Sequence, residues 1–333
     1  MSSNPTVSVF GASGYAGALS AHLIQKHPSF NLQAITSRAD AGRGLDELYP
    51  HYRVGLELEE FDIDQHAEVD AAIVAYPHGA AAPIVQQLLS RGVKVVDLSA
   101  DFRLRDVGTY EEWYVPHVAP ELIDGAVYGL PELYREQIKL APLVANPGCY
   151  PTATILALAP LAKAGLIKDV IIDAKSGVSG AGRAATDKTH FVTVDENVSA
   201  YGVPRHRHTP EIEQELAALG SPVTITFTPH LLPLDQGELV SCYVTVAGRA
   251  GDDLEAMYAD FYEGERFVEL TETPPGVRDV RDTNFCRISL HRDERTGRVI
   301  VFGAIDNLWK GTASQAIQNL NLMFGFDEGA GIS

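Results

Sequence analysis

The sequence predicts an α/β protein: a Rossmann-type doubly wound parallel sheet plus a second α+β domain with a mixed or antiparallel sheet. Three observations carry this prediction. Short β-branched runs alternate with helical stretches through the first half of the chain, a glycine-rich turn joins the first run to the first helix, and the texture changes near Pro147. Thr6–Phe10 is read as the first strand and Tyr15–His27 as a helix stopped by Pro28. Leu32–Thr36, Ala71–Ala75 and Val93–Leu98 follow as strands, with a helix over Ala80–Arg91 between the last two. In the second half, Thr152–Ala164 has an apolar helical pattern. Val170–Ala174, Val223–Phe227, Leu239–Val246 and Arg298–Ile305 are strand-like, and Gly311–Met323 is a final amphipathic helix. Residues 177–208 are polar and aperiodic, too long for a passive connection, and are read as a functional loop. The expected boundaries are 1–148 for the dinucleotide domain, 149–310 for the catalytic domain and 311–333 for the terminal helix.

Composition narrows the function. The 333 residues, 45% hydrophobic and 21% charged, suit two globular domains. No apolar run reaches the ~18 residues of a membrane helix, and Met1–Pro5 has neither the basic nor the apolar region of a secretory signal. A net charge of −18 argues against nucleic acid and anionic membranes as partners, and it obliges an anionic substrate to rely on local arginines. Cys149, Cys242 and Cys286 are odd in number and widely spaced, which fits neither a disulfide framework nor a metal site. No metal is expected, and a reducing cytoplasm is the predicted location.

Three motifs carry chemistry. Gly11-Ala12-Ser13-Gly14-Tyr15-Ala16-Gly17 lies between a strand and a helix, where glycines permit a tight turn and a phosphate can sit at the helix N-terminus. About 20 residues on, where an NAD enzyme places an acid on the ribose, this chain has Ser37-Arg38, a hydroxyl and a guanidinium suited to a 2′-phosphate. The expected cofactor is therefore NADP(H). Next, Asn146-Pro147-Gly148-Cys149-Tyr150-Pro151-Thr152 puts a thiol at the start of an apolar helix, where the dipole favours thiolate. Flanking prolines make a rigid elbow, unlike the setting of a core cysteine. Third, Arg205-His206-Arg207-His208-Thr209-Pro210-Glu211 precedes a helix. Either histidine can move protons, and Arg207 can hold phosphate or carboxylate. Glu211 either orients a histidine or simply suits the first helical turn. Two further pieces complete the set. Arg103 lies just beyond a strand's C-terminal end, where substrate is expected, and the loop Ser179-Gly180-Ala181-Gly182 can close over the cofactor.

Together these stretches resemble one family, the N-acetyl-gamma-glutamyl-phosphate reductases of arginine biosynthesis in their shorter bacterial form. The resemblance runs through GASGYAG at 11–17, DLSADFR at 97–103, YGLPE at 128–132, NPGCYPT at 146–152, SGAGR at 179–183, HRHTPEI at 206–212 and AIDNLWKGTA at 304–313, nearly the whole chain in one order. It implies an NADP-binding domain, a second domain for catalysis and homo-oligomerisation (dimer or tetramer), and a terminal helix that packs back on the first domain. It also implies a small acyl-phosphate substrate reduced to a semialdehyde through a thioester on Cys149. The acid/base histidine falls within His206–His208, and Asn146, Arg103 and Arg207 are the substrate-binding choices. Two departures stand out: Leu234-Asp235-Gln236-Gly237 where the family usually carries an arginine before the glycine, and Cys286-Arg287 where an acid usually follows the cysteine. The alternatives are a reductase for aminoadipyl phosphate on a carrier protein, which Tyr150-Pro151 disfavours, aspartate-semialdehyde dehydrogenase, which HRHTPEI and NPGCYPT do not fit well, a cysteine hydrolase, which leaves the glycine loop unexplained, and a non-catalytic NADP-binding sensor, which needs no activated thiol.

Overall fold

The computed structural model of the chain describes residues 4–247 and 253–332. The chain forms two units, Met1–Pro147 with Thr312–Ser333, and Gly148–Gly311. Strands of the first are β1 (Thr6–Phe10), β2 (Asn31–Thr36), β3 (Leu58–Glu59), β4 (Ala71–Val74), β5 (Lys94–Asp97), β6 (Ala126–Tyr128) and β7 (Leu143–Ala145). They pair in parallel throughout, in the order β3-β2-β1-β4-β5-β7-β6. Val7, Val9, Phe10, all of β4, and Val95 and Val96 are buried, the continuous apolar reading expected when helices cover both faces of a sheet. The order reverses between β1 and β4, which opens a crevice beyond their C-terminal ends. The terminal helix Ala313–Phe324 is buried in this unit although rich in amides. Its polar groups are answered by main chain: Asn319 Nδ2 donates to Gly129 O and Asn321 Nδ2 to Glu328 O and Ala330 O.

The second unit has a mixed sheet of β8 (Ile167–Gly177), β9 (Ser199–Ala200), β10 (Thr226–Leu232), β11 (Glu238–Val246), β12 (Val268–Leu270), β13 (Cys286–Asp293) and β14 (Arg298–Ile305), in the order β12-β13-β14-β11-β8-β10-β9. The helix Cys149–Lys163 packs on it and is buried from Tyr150 through Ala162. Pro160 lies inside that helix and lacks the N–H that would close on the carbonyl of Leu156. The Tyr262 hydroxyl donates to that carbonyl instead, and Tyr258 donates to Ala157 O.

Several boundaries differ from the sequence expectation. The strand expected at Val223–Phe227 is Thr226–Leu232 and runs through Pro229, which reads as a strand breaker. Outside β10 lies only the two-residue β9, so the ladder tolerates a missing N–H there. Cys286–Asp293 is a full strand, and residues 177–208 hold a 3₁₀ turn, the short helix Phe191–Val194 and β9. Among the described residues no helix is long and apolar enough to cross a membrane.

Candidate active site

The nucleotide-binding elements lie at the crevice of the first unit. After β1 the chain turns at Gly11 with φ +89°, where a Cβ would stand 2.6 Å from Ala75 O, and a Cβ on Gly17 would stand 2.4 Å from Gly11 O. Both glycines are therefore demanded by the turn itself. Gly14 is different: a Cβ there meets its nearest neighbour at 3.8 Å, and Gly14 caps the helix Tyr15–Gln25 with no side-chain acceptor. The open space and the uncapped N–H groups beside it fit a phosphate. Ala12 is buried, and its N–H binds Thr36 O at 2.8 Å. Tyr15 and Ala16 open the helix. The Ser13 and Ser37 hydroxyls bond at 2.8 Å, which fixes the glycine loop to the end of β2. Arg38 is exposed, stands over the Tyr76 ring at 5.9 Å, and lines a cavity of about 670 Å³ with Glu60, Gly79 and Gln87.

In the second unit, Cys149 is the first residue of its helix, with Gly148 as an N-cap that offers no side-chain acceptor. The thiol is half-buried at the positive end of the dipole. Cys242 and Cys286 are buried, and burial pushes the Cys242 thiol far above the usual range. Glu211 is buried in the first turn of the helix Thr209–Leu219, and its Oε1 accepts the Gly148 N–H at 2.9 Å. This carboxylate holds the elbow that presents the thiol. Gly311 packs against the other side, where a Cβ would come within 2.8 Å of Cys149 Cβ.

Both histidines stand against Tyr150, with ring centroids 5.8 Å away for His206 and 6.0 Å for His208, and 4.9 Å from each other. His206 Nδ1 accepts the His208 N–H at 3.2 Å, which assigns the ring proton to Nε2. Burial, and then the neighbouring Arg207, lower its pKa to about 4, so it is neutral at pH 7. Arg207 is exposed, and His208 caps the helix. Tyr201 donates to the Tyr150 hydroxyl at 3.2 Å, and both phenols are pushed above their usual range by burial.

Some expected substrate residues sit in scaffold positions. Arg103 is buried, with Nε donating to Asn146 O and Nη2 to Leu98 O, each at 2.8 Å. Asn146 is wholly buried and spends its amide on Thr312 O and Asn319. The loop Ser179–Gly182 is tied within its own unit: Ser179 N–H binds Asp235 O at 3.1 Å and its hydroxyl accepts from Asn307 at 3.0 Å. The departing segment Leu234–Gly237 is thus the partner that holds this glycine loop. Sequence reasoning missed Tyr201 and Glu238. Glu238 begins β11 and is wholly buried, neither of its carboxyl oxygens has a hydrogen-bond partner among the described residues, and burial pushes it up to about 8. Its signal was present: alternation puts it in phase with Val240, Cys242 and Val244, an acid on the buried face of a strand. Among the described residues no cluster of His, Cys, Asp and Glu has the makings of a metal site.

Comparison with known proteins agrees with this construction. Residues 6–141 match the NAD binding domain of semialdehyde dehydrogenases, and residues 149–307 match the dimerisation domain of the same class. Among solved structures, aspartate semialdehyde dehydrogenase II from Vibrio cholerae, in complex with ASA, shares the fold with a TM-score of 0.74 at 20% identity, covering 97% of this chain and 99% of that one. The Candida albicans aspartate semialdehyde dehydrogenase with NADP gives 0.72 at 15% identity over 97% and 99% of the two chains. The fold and the thiol elbow thus define a semialdehyde dehydrogenase. Within that class the chain belongs to the N-acetyl-gamma-glutamyl-phosphate reductase family. It is 50% identical to the member from Desulforamulus reducens over 97% of this chain and 96% of that one, and 50% identical to the member from Moorella thermoacetica over 96% and 95%.

Proposed function

We propose that the chain reduces N-acetyl-L-glutamyl 5-phosphate to N-acetyl-L-glutamate 5-semialdehyde and phosphate in arginine biosynthesis, through a thioester on Cys149. The observation that carries this reading is the thiol at an uncapped helix N-terminus, in a chain half-identical along nearly its full length to reductases of that name. The thiolate attacks the acyl carbon, the C–S bond forms, and phosphate leaves with the electron pair of the C–O bond. A reduced nicotinamide, when bound, supplies the hydride. The neutral His206 ring, with its proton on Nε2, donates a hydrogen bond to the negative oxygen of the resulting tetrahedral carbon, which then re-forms the carbonyl as the C–S bond breaks and its electron pair returns to sulfur. His208 caps the helix beside it, and Glu211 acts as a positioning residue through Gly148.

We assign the pyrophosphate to Gly11–Gly17 and a 2′-phosphate to Ser37 and Arg38, which makes NADP(H) the cofactor, with Ser179, Gly180, Ala181 and Gly182 as further contacts. Exposed Arg207 is the guanidinium for the substrate's anionic groups, while Arg103 and Asn146 act through the elbow. The protein is assigned to the cytoplasm, as a homo-oligomer (dimer or tetramer) formed by the second unit. The test is phosphate-dependent NADP⁺ reduction by purified protein. Turnover with N-acetylglutamate semialdehyde, much faster than with aspartate semialdehyde, is expected, together with an acyl adduct on Cys149 by mass spectrometry. Preference for aspartate semialdehyde, or substantial turnover by Cys149→Ser, would overturn the reading.

A further inference from the structure

The loop that leaves β4 for the helix Ala82–Ser90 reads Pro77-His78-Gly79-Ala80-Ala81, and from Gly79 on it has no polar side chain with which to fix itself. Ala81 holds the cap position of that helix and provides no side-chain acceptor. The acceptors come instead from Asp101, beyond the end of β5. Its carboxylate is wholly buried. Oδ1 accepts the Gly79 N–H at 2.7 Å and Oδ2 the Ala82 N–H at 3.0 Å, from 22 and 19 residues earlier in the chain. The helix dipole favours a negative charge at that end. Gly79 has φ +78°, so the bond fixes a backbone that glycine adopts freely and leaves as freely. The Tyr110 hydroxyl donates to the same Oδ1 at 2.7 Å, and His117 Nε2 donates to the Asp101 carbonyl at 2.6 Å. A second tie between the same two loops runs from the Ala100 N–H to His78 Nδ1 at 2.9 Å.

The residues tied in this way form one wall of a cavity. Gly79, Ala80, Pro83, Ile84 and Gln87 line, with Arg38, the space of about 670 Å³ beside the glycine turn. Asp101 stands behind that wall and does not itself line the cavity. We propose that Asp101 is a positioning residue for the nucleotide. By holding the Gly79 and Ala82 N–H groups it fixes the wall on which the adenosine half of the cofactor, with its 2′-phosphate, rests. It thereby sets cofactor affinity and not the rate of the chemical step. The proposal rests on the assignment of Arg38 to the 2′-phosphate above. Without the carboxylate, two N–H groups lose their acceptor and the loop gains freedom that no side chain of its own limits. A cavity that holds its binding shape a tenth of the time binds about tenfold more weakly. Once nucleotide is bound the wall is in place, and hydride transfer proceeds as in the wild type.

The test uses adenosine 2′,5′-bisphosphate, which carries the 2′-phosphate and no nicotinamide, titrated by calorimetry beside NADPH on the full-length protein. Asp101→Ala should weaken both ligands by the same factor, about 10-fold, with kcat at saturating NADPH within about threefold of the wild type. Asp101→Asn keeps Oδ1 for Gly79 but turns an amide N–H toward that of Ala82, so its affinities should fall between the two. A lower urea midpoint with both Kd values unchanged is the mark of a helix cap and nothing more, and would overturn the proposal. A loss confined to kcat, or to NADPH with the bisphosphate unaffected, would overturn it as well. If Asp101→Ala does not fold, Asp101→Asn decides by the same criteria. Wild-type protein that binds NADPH but not the bisphosphate would overturn the 2′-phosphate assignment and the proposal with it. Wild-type binding of both ligands, unchanged in the variants, would overturn the role of Asp101 alone.

Discussion

Replacing Glu211 tests whether the elbow, and not only the thiol, sets the rate. Its Oε1 accepts the Gly148 N–H at 2.9 Å from a side chain 1% exposed. Glu211→Ala leaves that N–H without its acceptor, a loss of about 1–3 kcal/mol. The missing side-chain methylene adds about 0.8 kcal/mol, so the total is about 2–4 kcal/mol of stability. Glu211→Gln keeps an acceptor of the same reach but loses its charge. The difference between charged and neutral bonds is about 1 kcal/mol. Because Gly148 precedes the nucleophile, slack in the elbow displaces the sulfur, and a shift of about 1 Å costs about 100-fold in rate. Urea unfolding and steady-state kinetics should both order wild type above Gln above Ala. The Ala variant should lose about 100-fold in kcat and the Gln variant about 10-fold or less, with the Kd for NADPH unchanged. Wild-type kcat in Glu211→Ala would refute the positioning argument. A Gln variant as damaged as the Ala variant would show that charge, not the fixed acceptor, is what matters.

Arg38→Asp should raise the KM for NADPH about 10- to 150-fold, the worth of one charge-assisted contact of about 1.5–3 kcal/mol, and leave NADH kinetics little changed. Equal effects on both cofactors would take the 2′-phosphate away from Arg38. Arg103→Lys should destabilise the protein by about 1–3 kcal/mol in urea unfolding, since one ammonium cannot bridge Leu98 O and Asn146 O as the guanidinium fork does; wild-type stability would show that these bonds carry little weight. His206 has a folded pKa of about 4 against 6.5 in the unfolded chain, so the unfolded state binds the proton first as pH falls. That shift removes stability between pH 6.5 and 4, by about 3 kcal/mol in all. Asp97 and Glu238, raised to about 7 and 8, act in the opposite sense, so the measurement is the difference from His206→Gln. The wild type should lose about 2–3 kcal/mol relative to that variant between pH 7 and 4.5; parallel curves would mean that His206 is not held neutral by burial.

What was legible in the sequence was the chemistry that short stretches encode by themselves. A glycine turn between strand and helix specifies its own backbone, and a thiol between Pro-Gly and Tyr-Pro declares its place at a helix start whatever the rest of the chain does. The less legible features depend on partners distant in sequence. Arg103 reads as a ligand arginine at the end of a strand. Its burial follows from the carbonyl of Asn146, which β7 brings beside β5 and no local pattern announces. Pro229 reads as the end of a strand until the two-residue β9 is known to be its outer neighbour. Pro160 reads as a helix breaker until Tyr262, far along the chain, supplies the missing donor. Glu238 is the sharpest case. Alternation within β11 could have revealed a buried acid, but not that its carboxyl oxygens find no partner among the described residues once the helix Cys149–Lys163 packs against that strand. A motif locates the nucleophile, whereas the carboxylate that holds its elbow, Glu211, comes from a helix 63 residues further along the chain.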